Sequence, residues 1–137
     1  MRRCIARVAS ATTFEGEKTE NTFRVPAKFE ETDNSLTFNE KISPDPGAPA
    51  VKTTIFFGDE IRVYRNDRPQ FLFRKGSPST CIYETIAGEL ELKVETSKLS
   101  WEITDQGGSL YMEYRLSYDE NAASDCIYGV NFEFAKR

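Results

Sequence analysis

Apolar and polar residues alternate over several long stretches of the chain, and this period of two restricts the fold more than any other feature. In residues 88–96, Leu90, Leu92 and Val94 alternate with charged residues. The same pattern occurs in residues 23–29, 110–118 and 126–134. A sheet with one buried and one solvated face requires this alternation, and an amphipathic helix cannot produce it.

Turn-forming residues separate the alternating stretches at intervals of about 8–12 residues. Residues 58–59 (GD) and 66–69 (NDRP) are two examples. Such short connections indicate antiparallel neighbours, because parallel crossovers need about a dozen residues or more. We count roughly ten strands, and a twisted sheet of that size tends to curl until its edges meet. The sequence therefore predicts an all-β fold, a single antiparallel, up-and-down β-barrel in one domain, residues 1–137.

The apolar set changes parity near Ser97 and Lys98. Before this point Val94 belongs to the apolar face, and after it Leu99 and Trp101 do. A straight strand would then bury the wrong face, since a shift of one residue exchanges the two faces. We therefore expect a tight turn or a β-bulge at this position.

Composition argues against several function classes. The 137 residues include no histidine, which removes the commonest general base and metal ligand and makes a Ser-His-Asp or Cys-His unit impossible. Cys4, Cys81 and Cys126 lie far apart, without metal-ligand spacing. An odd count speaks against a secreted disulfide framework and favours a cytoplasmic protein with reduced thiols. No apolar run approaches the ~20 residues of a membrane helix. We expect no catalytic residues, metal site, cofactor or membrane association.

Two segments carry a family resemblance. Residues 83–92 (YETIAGELEL) combine an aromatic residue, Thr, Gly and a short acidic–apolar alternation, and residues 96–103 follow as a basic–apolar strand. In their order and spacing they resemble the YwiB-type proteins, small bacterial proteins of unknown function. The resemblance covers essentially the whole chain and implies a calycin-like, lipocalin-like β-barrel. It implies no established activity, and the lipocalin G-x-W signature is absent around Trp101, the only tryptophan.

A ligand cavity inside the barrel is the function that we favour. Small barrels either fill with side chains or enclose one small molecule. Arg62-Val63-Tyr64 resembles the carboxylate clamp of intracellular lipid-binding proteins, which predicts a small apolar or weakly anionic ligand. The candidate ligand-binding residues are Arg62, Tyr64, Tyr83, Trp101, Tyr114 and Tyr128. The competing interpretation is that these bulky side chains simply form the core.

The alternative is an interaction module that docks a protein partner or single-stranded nucleic acid. Residues 62–75 combine basic groups with Tyr64, Phe71 and Phe73, and single-strand binding uses basic groups for phosphates and aromatic rings for bases. The net charge of −4 and the nearby acidic residues disfavour nucleic acid. We therefore interpret this stretch mainly as a solvated hairpin with local ion pairs.

Overall fold

The computed structural model describes residues 1–41, 46–85, 88–119 and 122–136, with only the backbone at residues 83–85 and 119. The strands are β1 (Arg2–Phe14), β2 (Glu17–Glu30), β3 (Ser35–Glu40), β4 (Val51–Phe56), β5 (Ile61–Arg65), β6 (Arg68–Phe73), β7 (Ser79–Thr85), β8 (Gly88–Ile103), β9 (Gly107–Asp119) and β10 (Ala122–Phe134). This described part contains no helix long and apolar enough to span a membrane.

The ten strands form one antiparallel sheet in the order β6-β5-β4-β3-β2-β1-β10-β9-β8-β7. Eight of the nine pairings join strands that are consecutive in the sequence. The ninth joins β1 to β10, from Cys4↔Phe134 to Phe14↔Ser124. The sheet curls into a nearly closed barrel. The prediction of an all-β, up-and-down antiparallel barrel of roughly ten strands is confirmed.

The barrel closes incompletely between β6 and β7, and we call this junction the seam. Between the described residues of these two strands no backbone ladder forms. Side chains bridge the gap instead. The Ser79 hydroxyl donates to the Leu72 carbonyl, and Gln70 Nε2 donates to the Ile82 carbonyl at 3.4 Å. The seam is therefore held by isolated contacts rather than by regular strand pairing.

A β-bulge interrupts β8 at the predicted position. The β8–β9 register shifts between Thr96 and Lys98, while the strand continues to Ile103. Val94 and Thr96 are buried before the bulge, and Leu99 packs against the core after it. The extra residue thus keeps the apolar side chains inside, and the predicted bulge is confirmed.

Aromatic rings close one end of the barrel. The Phe132 ring lies 5.6 Å from Phe29, 6.1 Å from Phe57 and 5.8 Å from Phe134, measured between centroids. Phe29, Phe57 and Phe132 are almost completely buried. Such rings bury large areas and favour tilted or offset contacts, so this aromatic end is a packed part of the core.

The three cysteines are buried free thiols. Burial raises the pKa of Cys4 and of Cys81 to about 11, and it also raises the pKa of Cys126. The thiolate is the reactive form, so these side chains act as small apolar groups.

Candidate ligand site

A charged pair lies inside the barrel at the end opposite the aromatic rings. Glu40 ends β3 and Arg65 ends β5, and the two strands flank β4. Arg65 Nη2 donates to Glu40 Oε1 at 3.4 Å, and the hydroxyl of Thr53 donates to the same oxygen at 2.8 Å. The side chains of Glu40 and Arg65 are only 7% and 18% exposed. Two opposite charges are therefore held largely out of water.

Two buried donors, one in this pair and one on β8, lack hydrogen-bond partners among the described residues. Arg65 directs its guanidinium over the Phe71 ring, 5.4 Å from the centroid, and its Nε–H makes no hydrogen bond among the described residues. On β8, the buried hydroxyl of Thr96 is also without a partner in this part of the chain. Buried polar groups are nearly always satisfied, so orphaned ones mark sites that strain or a ligand explains.

Two tyrosines complete the polar group. Tyr114 lies opposite both Thr96 and Cys126 on the neighbouring strands, and its ring centroid is 4.6 Å from that of Phe73. Burial raises the pKa of Tyr128 strongly, with a smaller contribution from Glu40, whereas the charge of Arg65 opposes the shift. Tyr128 is therefore a neutral phenol at physiological pH and lies within electrostatic reach of the pair.

We call these side chains the inner polar cluster. Its members are Glu40, Thr53, Arg65, Thr96, Tyr114 and Tyr128. They come from β3, β4, β5, β8, β9 and β10, so strands on both sides of the barrel contribute. Thr96 and Tyr114 also line a surface depression of about 590 Å³. The cluster combines charge, hydroxyl groups and an aromatic wall, which is the chemistry of a site for a small polar molecule.

The structure places Arg62, predicted to bind a ligand inside the barrel, on the outer surface. Arg62 and Tyr64 lie on the outer face of β5, where the Arg62 side chain is 60% exposed and the Tyr64 ring contacts Phe56 at 5.3 Å. Ile61 and Val63 occupy the inner face. The predicted clamp therefore faces away from the interior, because alternation within β5 directs residues 61, 63 and 65 inward.

Trp101 lies at the rim rather than inside the barrel. Its side chain is 36% exposed, its ring contacts Phe57 at 5.8 Å, and its Nε1–H donates to the Gly58 carbonyl at 2.8 Å. It thereby ties β8 to the β4–β5 connection. The Tyr83 side chain lies outside the described part of the chain. Of the six predicted residues, Tyr114 and Tyr128 belong to the inner polar cluster.

The basic stretch at residues 62–75 is paired with acidic groups. Arg62 and Arg74 both contact Glu60, at 3.7 Å and 2.9 Å. Phe71 and Phe73 are buried, at 8% and 2% exposure. Their faces are therefore not accessible for stacking with bases, which is how single-strand binding proteins use such rings. This surface has the local ion pairs that the sequence predicts.

Arg65 and Glu40 are not among the site residues predicted from the sequence. The available signal is the phase of the alternation, since Arg65 follows Ile61 and Val63 at the same parity. Glu40 likewise follows Leu36 and Phe38 at every second position. A charged residue that continues an inward apolar series is a candidate for a buried polar site.

The comparisons with known proteins agree with the resemblance seen in the sequence. The fold is similar to the crystal structure of the ywiB protein from Bacillus subtilis, with a TM-score of 0.79, 20% sequence identity, and coverage of 98% of this chain and 93% of that chain. This likeness supports the fold alone. No curated protein matches the sequence. The model of a family described as a domain of unknown function, DUF1934, matches residues 7–129. The chain belongs to this YwiB-type DUF1934 family.

Proposed function

We propose that the barrel binds a small, weakly anionic molecule at the inner polar cluster and has no catalytic activity of its own. The observation that supports this most directly is the buried Arg65 guanidinium, whose Nε–H has no partner among the described residues. A buried donor of this kind loses its hydration without compensation, and an acceptor from a ligand would restore the lost hydrogen bond.

The chemistry of the cluster defines the ligand. Arg65 Nη2 is engaged with Glu40, so the guanidinium offers its Nε edge to one acceptor oxygen. The Thr96 hydroxyl and the phenol of Tyr128 add neutral hydrogen-bonding groups. Because Glu40 already balances the charge of Arg65, a ligand with a single carboxylate fits better than a polyanion. The rings of Phe71, beside Arg65, and of Phe73, beside Tyr114, suit a short hydrocarbon portion.

The proposed absence of a catalytic role rests on the composition of the chain and on its buried thiols. Activation of a nucleophile needs an adjacent base, usually histidine, and the chain has none. The buried thiols have raised pKa values, which reduces the thiolate fraction needed for attack. Binding is therefore the activity that the cluster supports best.

The test uses octanoate as the acidic probe and octanol as its neutral match. In an NMR titration we expect octanoate to shift the resonances of Thr96 and Tyr128 saturably, and octanol to bind at least tenfold more weakly. Thr96→Val should weaken octanoate binding while keeping both buried charges. Arg62→Met, on the outer face, is the control and should leave binding unchanged. Native mass spectrometry of protein from its own source should also reveal a bound molecule.

Two results together would contradict the proposal. One is the absence of any saturable shift with octanoate. The other is a native mass equal to that of the polypeptide, with no adduct that survives gentle desolvation. Equal loss of binding in Thr96→Val and Arg62→Met would also argue against the cluster as the site.

A further inference from the structure

A row of three hydrogen-bond donors crosses the outer face of the barrel. Arg24 on β2 pairs in register with Arg7 on β1, and Arg7 pairs with Asn131 on β10. The neighbouring Ala6 and Val8 are buried, so alternation directs the three polar side chains outward. Residues directly opposite each other in adjacent strands have Cβ atoms about 5 Å apart. Two guanidinium groups and one amide thus share a small area.

Within the described part of the chain, the two arginines have no acidic partner. Neither Arg7 nor Arg24 lies within 4.0 Å of a carboxylate oxygen of any described residue. Several other outer cations are paired, for example Lys98 with Glu113 at 3.4 Å and Arg115 with Asp125 at 3.0 Å. Like charges directly opposite in a sheet are destabilising. An unpaired cross-strand arginine pair therefore indicates a place where an anion would relieve repulsion.

A second like-charged pair reinforces the positive potential. Arg3 lies opposite Lys28, four residues along the strand from the first pair, or about 13 Å at the usual strand rise. Neither lies within 4.0 Å of a carboxylate oxygen of a described residue. Between the two pairs, Ile5 lies opposite Pro26, so an apolar pair separates the two positively charged pairs. The positive groups therefore stand out on a chain whose net charge is −4.

The arginine pair borders a depression of about 430 Å³. Its lining includes Arg7, Arg24 and Asn131, the 44% exposed Ile5, and one carboxylate, that of Glu133. This volume is within the range of small-molecule sites. The Glu133 carboxylate at its edge disfavours a second anionic group on the organic portion of a ligand, and it accepts hydrogen bonds from hydroxyl or amino groups.

We propose that Arg7, Arg24 and Asn131 bind the phosphate group of a small organic phosphate monoester. A phosphate monoester carries close to two negative charges at pH 7 and three strong acceptor oxygens. Guanidinium groups match it with bidentate hydrogen bonds, and two of them balance its charge. A carboxylate offers only one charge and two oxygens. The organic portion lies against Ile5, with its hydroxyl groups directed to Glu133.

The test is an NMR titration of the full chain with glycerol 3-phosphate at constant ionic strength. We expect saturable shifts of the Arg7 and Arg24 Nε–H resonances and none with glycerol. The double variant Arg7→Gln/Arg24→Gln should weaken binding at least tenfold. Arg62→Gln/Arg74→Gln is the matched control, because it removes the same charge from cations that are paired with Glu60, and it should leave binding unchanged.

Three results would overturn the proposal. The first is the absence of any saturable shift with glycerol 3-phosphate at 10 mM. The control variant could weaken binding as much as the arginine variant, which would indicate a general charge effect. Inorganic phosphate could bind as tightly as glycerol 3-phosphate and to the same residues, which would exclude recognition of the organic portion. Since the test reports on outer-face resonances, its outcome is independent of octanoate binding at the inner polar cluster.

Discussion

Replacing Arg65 with methionine should destabilise the barrel far more than the loss of one ion pair at the surface would. The Arg65 and Glu40 side chains are 18% and 7% exposed, and Nη2 lies 3.4 Å from Oε1. At this distance, Coulomb's law with an effective dielectric constant of about 20 gives an attraction of about 5 kcal/mol. Desolvation offsets most of this gain in the intact pair.

The single and double variants separate these two contributions. Arg65→Met leaves the Glu40 charge buried and unpaired, which costs about 3–5 kcal/mol. Glu40→Gln retains an acceptor for the Thr53 hydroxyl, yet it leaves the charge of Arg65 uncompensated. In the double variant Glu40→Gln/Arg65→Met no buried charge remains, and we expect a total loss of only about 1–2 kcal/mol. The coupling energy should therefore reach about 2 kcal/mol or more.

Urea denaturation followed by the fluorescence of Trp101, the only tryptophan, measures the free energy of unfolding of each variant. Arg62→Met is the control on the same strand, and because its side chain is 60% exposed it should change stability by less than about 0.5 kcal/mol. Additive effects of the two single substitutions, to within about 0.5 kcal/mol, would refute the reasoning, since independent sites show no coupling.

Close packing and burial predict three further effects. A Cβ at Gly108 would lie 2.8 Å from the Glu102 carbonyl oxygen, whereas one at Gly129 would have its nearest neighbour at 3.7 Å. Gly108→Ala should therefore lower the melting temperature clearly, and Gly129→Ala should not. Met112→Ala should reduce the free energy of unfolding by about 2–5 kcal/mol in urea titrations, because Met112 is 1% exposed. Since burial raises the pKa of Cys81 from 9.0 to about 11, only about 1% of this thiol is ionised at pH 9, against half in the unfolded chain. A thiol reagent at pH 9 should modify it much more slowly before urea is added than after, and equal rates would contradict its burial.

The fold could be predicted from sequence because alternation and turn residues act locally. The series Leu90, Leu92 and Val94 defines an inner face without knowledge of any partner strand. The parity change at residues 97–98 predicts a bulge for the same reason. These features depend on neighbours along the chain, which a single sequence displays completely.

The candidate site could be predicted only in part. Tyr114 and Tyr128 follow the inner parity of their strands, so the sequence places them on the face that packs against the core. Arg65 forms its hydrogen bond with Glu40, 25 residues away in the sequence, and no local pattern predicts that contact. The tripeptide at residues 62–64 resembles a known clamp, but strand phase, not motif similarity, decides which side chain faces inward. Trp101 was expected inside because it has the same parity as Leu99 along β8, but its side chain lies at the rim.

The seam has a mechanical consequence. Elsewhere around the barrel, parting two strands means breaking a row of backbone hydrogen bonds at once, whereas parting β6 from β7 requires the loss of a few side-chain contacts such as Gln70 Nε2 to the Ile82 carbonyl. Thermal fluctuations should therefore open the barrel at the seam before they separate any other pair of strands. Residues 74–78 join the two strands covalently, so such a split is tethered and reversible. An opening between β6 and β7 should let water or a small solute reach the interior while the other strand pairs stay intact.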